Sequence, residues 1–153
     1  MARKLRFEAL YPYSPEQVWT ALTDPAAIAD WLMPNDFRAE VGHRFNFRTK
    51  PAPGFDGIVD CEVLRVEPPT ELAYSWKGGG IETIVTYSLA REGDSTRLVM
   101  EQDGFRGLRG LMVSRILGSG WKKIIGDNLR NASGRVADGR YVPDPAAPSQ
   151  DCH

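Results

Sequence analysis

Four side chains in this sequence are of the types that move protons and lie near strand-like runs that a fold can turn inward: His43, Asp60, Glu62 and Glu82. His43 precedes a strand-like run, and the other histidine, His153, is the last residue. A lone strand-edge histidine is ordinarily a surface residue and acts as a base only when held beside a substrate. Glu62 would need burial to raise its pKa before it could serve as an acid; otherwise it pairs with an arginine or reaches water. Nucleophilic chemistry has no signature here. There is no Gly-x-Ser-x-Gly, and Cys61 alternates with Val59 and Val63 as a small core residue. Gly78-Gly79-Gly80 lacks the spaced lysine and following helix of a phosphate loop, so it reads as a turn. No His, Cys and Asp spacing suits a metal, so neither metal nor cofactor is expected.

A second kind of chemistry is recognition without reaction. The residues that could line an apolar cavity are Trp31, Phe37, Phe45, Phe47, Phe55, Trp76, Val85, Tyr87, Met100, Phe105, Leu117, Trp121 and Ile125, with Gln102 as a polar contact. Ligand pockets combine such walls with a few polar groups. The same aromatics also fill ordinary cores. Gln102 and Asn128 could orient a ligand hydroxyl or carbonyl, or be satisfied buried amides. Gly118 and Gly120 tilt the expectation toward a void, because they remove side-chain volume beside an apolar helical stripe.

The elements that must position these residues follow from periodicity. Residues 3–11 alternate, with Leu5, Phe7, Ala9 and Tyr11 on one face, as in a half-buried strand. Ser14-Pro15-Glu16-Gln17 is a capping box with proline at the first helical position. Asp24-Pro25 repeats the signal for a second short helix that stops before Pro34. The period then changes to two. Residues 43–49, 58–67, 72–76, 82–90 and 95–103 read as strands, separated by turns at 51–57, Pro68-Pro69, Gly78-Gly79-Gly80 and Glu92-Gly93-Asp94. Leu64 and Val66 break the alternation and suggest a bulge. From about Leu108 to Ala137 the period is helical, with Val113, Leu117, Trp121 and Ile124 in one stripe. Strands segregated from helices mean α+β. The expectation is a curved, six- to seven-stranded antiparallel sheet wrapped around a long C-terminal helix. Residues 1–140 would form one domain and 141–153, rich in proline, a flexible tail.

Composition sets outer limits. The chain has 153 residues, 42% hydrophobic and 25% charged, with a formal charge of −1. That is globular composition, and its neutrality argues against a dedicated nucleic-acid binder. Residues 104–140 hold eight basic residues against two acidic ones, a net +6, leaving −7 elsewhere. Such a stretch could attract an anion, but it also suits the solvated back of an amphipathic helix. No apolar run is long enough to span a membrane, and no signal peptide is evident. Two cysteines make no disulfide framework. A cytoplasmic location is expected.

The sequence resembles a known superfamily at Tyr13-Ser14-Pro15-Glu16-Gln17-Val18-Trp19-Thr20-Ala21-Leu22-Thr23-Asp24-Pro25, at Trp31 with Pro34, and from Val66 to Trp76. The resemblance continues through Thr83 to Leu89, Ser95-Thr96-Arg97-Leu98, Gly104-Phe105 and Gly120-Trp121. Together, in this order, they resemble the START-like, helix-grip (SRPBCC) superfamily. Within it they are similar to the branch named after the activator of the Hsp90 ATPase, also described as polyketide cyclase-like. The resemblance covers roughly residues 5–130, departing at Val41-Gly42-His43, where many relatives show two glycines. It implies a helix gripped by the sheet and an internal cavity for an apolar or amphipathic small molecule such as a lipid or polyketide-like compound. Superfamily members also act as cyclases, dehydratases or hydrolases, or serve chaperones, so the fold alone does not fix the function. The reading here is a ligand-binding protein, with a cyclase-, dehydratase- or hydrolase-type enzyme on a polyketide-like substrate as one alternative and a chaperone-associated interaction module as another. A homodimer is possible; a chaperone partner is not expected.

Overall fold

A computed structural model describes residues 3–51 and 55–143. Strand β1 (Arg3–Tyr11) leads into helices α1 (Pro15–Thr23) and α2 (Pro25–Trp31). Strands β2 (Arg44–Arg48), β3 (Ile58–Glu67), β4 (Glu71–Gly78), β5 (Ile81–Glu92) and β6 (Ser95–Phe105) follow, and helix α3 (Gly107–Lys123) comes next. A π-helical turn (Ile124–Asn128) joins α3 to α4 (Leu129–Ser133), and a short ribbon pairs β7 (Val136–Ala137) with β8 (Arg140–Tyr141).

The helix starts are those the sequence encodes. The Ser14 hydroxyl accepts from the Gln17 amide at 3.2 Å while the Ser14 amide donates to Gln17 Oε1 at 3.2 Å. Asp24 Oδ1 accepts from the Ala26 amide at 2.8 Å to cap α2. Each closes a backbone donor that a helix N-terminus otherwise leaves open.

All six long strands form one antiparallel sheet in the order β1-β6-β5-β4-β3-β2. The chain therefore runs hairpin by hairpin from β2 to β6 and closes by laying β6 against β1. The expected bulge lies in β3, where Val63 opposes Tyr74 but Arg65 opposes Ala73, leaving Leu64 extra. Gly79 and Gly80 form the β4–β5 turn with φ of +64° and +84°. Two consecutive positive φ values are what a two-residue hairpin of matching twist requires, and glycine adopts them without strain.

One face of the sheet is apolar and packs under the helices. Phe45 and Phe47, Val59, Cys61 and Val63, Tyr74 and Trp76, Val85 and Tyr87, and Leu98 and Met100 are all buried there. This is the helix-grip architecture expected from the sequence. Tyr141, the first residue of the expected tail, is buried, and its hydroxyl donates to Asp30 at 2.5 Å; the rest of that segment beyond Pro143 lies outside the described residues.

The C-terminal helix packs differently from its sequence pattern. Its apolar residues suggested one continuous stripe, yet in α3 the buried residues are Gly110, Ser114 and Trp121. The buried face of α3 is made of small residues in its first half and of Trp121 further along, and Ile125 of the π-helical turn is buried after it. Leu108, Met112 and Ile116 consequently stand exposed, at 87%, 55% and 68%. Gly118 lies over the Leu5 side chain, and Gly120 faces open space, so neither glycine borders a void.

Candidate functional site

A groove of about 340 Å3 lies between the first half of α3 and one end of the sheet. Arg109, Met112, Val113, Ile116 and Leu117 line it from α3. That spacing of three and four residues is one face of a helix, adjacent to the face that packs on the sheet. Val59, Trp76, Gly78 and Ile81 line it from the sheet, Gly79 from the β4–β5 turn, and Met33, Thr49 and Phe55 from the connecting segments. The lining is apolar except for Thr49 and Arg109. Among the described residues it contains no carboxylate, imidazole or thiol.

Of the fourteen residues expected to bind ligand, Phe55, Trp76 and Leu117 line this groove. The other eleven, Trp31, Phe37, Phe45, Phe47, Val85, Tyr87, Met100, Gln102, Phe105, Trp121 and Ile125, are each at most 4% exposed and pack in the core. The aromatics meet one another there: Phe45 stands edge-on to Phe47 at 5.2 Å and to Tyr74 at 5.4 Å, and Trp31 stands edge-on to Tyr87 at 6.1 Å. Such edge-to-face pairs favour a filled interior. Trp76 joins the two regions, its ring 5.9 Å from that of Trp121.

The polar groups of the core are satisfied internally. Trp121 Nε1 donates to Gln102 Oε1 at 2.8 Å, Gln102 Nε2 donates to Thr83 Oγ1 at 2.9 Å, and Thr83 Oγ1 donates to the Trp76 carbonyl at 3.3 Å. Asn128 Nδ2 donates to the Trp31 carbonyl at 3.5 Å. The Tyr74 and Tyr87 hydroxyls share a 2.7 Å hydrogen bond, and burial pushes both pKa values well above the usual phenol value. Tyr11 donates to the Ile125 carbonyl inside the π-helical turn and is likewise raised by burial.

The candidates for acid–base chemistry sit elsewhere. His43 Nε2 donates to the Asp36 carbonyl at 2.9 Å, at the far end of β2. Glu62 is on the outer face of the sheet, 3.5 Å from Arg44. Asp60 accepts from Asn46 Nδ2 at 2.6 Å on the same face, and Glu82 is exposed. Burial, with Asp60 and Asp36 nearby, raises the Cys61 thiol far above its usual range, so it is no thiolate at neutral pH.

Sequence reasoning did not select Met33, Thr49, Val59, Ile81, Arg109, Met112, Val113 or Ile116 for the site. One signal was present. Leu108, Met112 and Ile116 recur every four residues, a second apolar row on a helix whose core-facing row was already assigned.

A sheet of this order gripping a C-terminal helix, with an apolar groove between them, defines a START-like, helix-grip protein. Residues 12–134 match the family described as Activator of Hsp90 ATPase homolog 1-like protein, and this chain belongs to that family. Protein MLL2253 from Mesorhizobium loti is 35% identical, with a TM-score of 0.79 over 88% of this chain and 99% of that one. DynU16, from the dynemicin biosynthetic locus, is 26% identical with a TM-score of 0.71, over 90% of this chain and 49% of its own. The Aha1 dimer from Colwellia psychrerythraea shares the fold at 17% identity and a TM-score of 0.71, over 85% of this chain and 95% of that one. No curated protein matches the sequence. No helix among the described residues is long and apolar enough to cross a membrane.

Proposed function

We propose that this chain binds one small apolar or amphipathic molecule in the groove between α3 and the sheet. The observation that carries the reading is the groove itself: about 340 Å3 of open space walled by Trp76, Phe55 and the 112/113/116/117 face of α3. That volume lies at the lower end of the range of small-molecule sites. A short acyl chain or a one- to two-ring polyketide-like compound suits that volume.

Binding rather than turnover is favoured because none of His43, Asp60, Glu62 and Glu82 is among the residues that line the groove. Place in a biosynthetic locus, as for DynU16, supports including polyketide-like compounds among the ligands tested.

A thermal-shift screen against short-chain lipids, flavonoids, small polyketides and sterols tests the proposal, followed by titration of any hit. A ligand that binds the folded state raises Tm by mass action. The expected result is a saturable rise for a compact apolar class, lost in a variant with a bulkier groove wall. No saturable shift across the set would sink the reading.

A further inference from the structure

Strand β1 is an edge of the sheet. Its neighbour is β6, and among the described residues its other side pairs with no strand. An open cleft of about 560 Å3 lies beside the middle of the strand, lined by Phe7, Glu8 and Ala9 of β1 and by Ser119, Lys122 and Lys123 of α3. None of that lining comes from β6. Nine residues of edge backbone are a standing template for another strand. The side chains of β1 form two rows. Leu5, Phe7 and Ala9 face the core side, Leu5 buried and the other two half-buried against the core. Lys4, Arg6, Glu8 and Leu10 are exposed on the outer face.

We propose that β1 pairs antiparallel with β1 of a second copy of this chain, about a twofold axis at Phe7. A twofold interface must be complementary to itself, and this strand is so in that register. Arg6 stands opposite Glu8 of the second copy and Glu8 opposite its Arg6, two opposite-charge pairs on the outer face. On the inner face Phe7 meets Phe7 and Leu5 meets Ala9, which covers the two half-buried residues. Leu10, 46% exposed, meets the aliphatic stem of Lys4. Moving the axis one residue either way sets Arg6 against Arg6 or Glu8 against Glu8, and moving it half a residue sets the apolar row against the charged row. Within the chain Arg6 lies 3.4 Å from Glu8, and Glu8 lies 3.7 Å from Arg97, all at the surface. The second copy's charges therefore join a solvated network, and no buried pair is broken.

Sedimentation velocity of the full chain at neutral pH, up to about 200 μM, tests the pairing, with far-UV circular dichroism to show that each variant is folded. Wild type should sediment as a concentration-dependent dimer. Arg6→Glu sets acid against acid across the axis and Glu8→Arg sets base against base, so each alone weakens the dimer at least about tenfold. Mixed together, the two variants bring an acidic strand to a basic one, and a heterodimer forms. A contact within one chain gives no such rescue. A wild type that stays monomeric throughout, a dimer indifferent to both substitutions, or variants that fail to associate on mixing would each overturn the pairing.

Discussion

Gly110→Ala and Gly120→Ala add the same methyl group to α3 in two different surroundings. At Gly120 nothing lies within 4 Å of the added carbon. The substitution there gains only helix propensity and a less disordered unfolded chain, up to about 1 kcal/mol. At Gly110 the new carbon would stand 2.9 Å from the carbonyl carbon of Phe105 and 3.3 Å from its Cα. Those are backbone atoms of a residue only 1% exposed, so they have nowhere to move. Overpacking of this kind costs about 1–3 kcal/mol, which outweighs the same propensity gain. The two variants should therefore differ by about 2 kcal/mol in opposite directions from wild type, or ~4–8 °C in Tm for a domain of this size. Urea unfolding followed by far-UV circular dichroism measures the difference as a shift in midpoint at constant slope. Because relief of the clash lifts the first turns of α3, Gly110→Ala should also weaken any groove ligand, whereas Gly120→Ala should not. If Gly110→Ala proves as stabilising as Gly120→Ala, then α3 does not rest on the sheet through its small residues, and the origin given for the groove is wrong.

Three further outcomes follow from the same geometry. Val113→Phe puts a ring into the groove from a half-buried position and should weaken a bound ligand at least about tenfold, with the urea midpoint little changed; unaltered titration curves would place the ligand elsewhere. Gln102→Leu strands the Trp121 N–H in the core and should cost about 1–3 kcal/mol, part of which Trp121→Phe restores in the double variant because no donor is then left unpaired; a simple sum of the two single effects would count against the hydrogen-bond chain. Burial raises Tyr11, Tyr74, Tyr87 and Cys61, and Tyr141 is pushed up to about 12 by burial and its bond to Asp30. The folded state then keeps protons that the unfolded state releases above about pH 9–10, so stability is complete below that range and falls as pH rises through it; a urea midpoint that stays flat from about pH 8 to about pH 11 would contradict it.

Most of the architecture is written in local pattern. The capping box at Ser14, the Asp24-Pro25 helix start, the alternation through β3 to β6 and the bulge at Leu64 all depend on neighbours within a few residues, and one sequence displays them. The groove is not local. It exists because Gly110 and Ser114 set how closely α3 approaches β6, and because that approach rotates Met112, Val113, Ile116 and Leu117 toward the β4–β5 turn. A helical wheel shows that Val113 and Trp121 share a side, but not that one faces open space and the other meets Gln102. Aromatic residues were the natural candidates for a cavity. In the fold most of them meet each other instead, since rings on adjacent strands of a curved sheet converge on its concave face. Arg109 was legible only as one of many basic residues until its position over Gly79 and Gly80 was known.

The two halves of the long helix are held by different kinds of force. Near Gly110 the helix is held by close packing of small residues, through dispersion that has little directional preference. The bond from Trp121 to Gln102 and the bond from Tyr11 to Ile125 are directional, and they pin the second half to one register. The groove-facing residues Met112, Val113, Ile116 and Leu117 are therefore at liberty to change without endangering the clamp that makes the domain fold. A new ligand preference in a descendant of this sequence would require edits to a few side chains on two turns of helix, with the scaffold untouched. The same partition gives a protein engineer a short library window, Met112, Val113, Ile116 and Leu117, in which altered specificity and lost stability are decoupled.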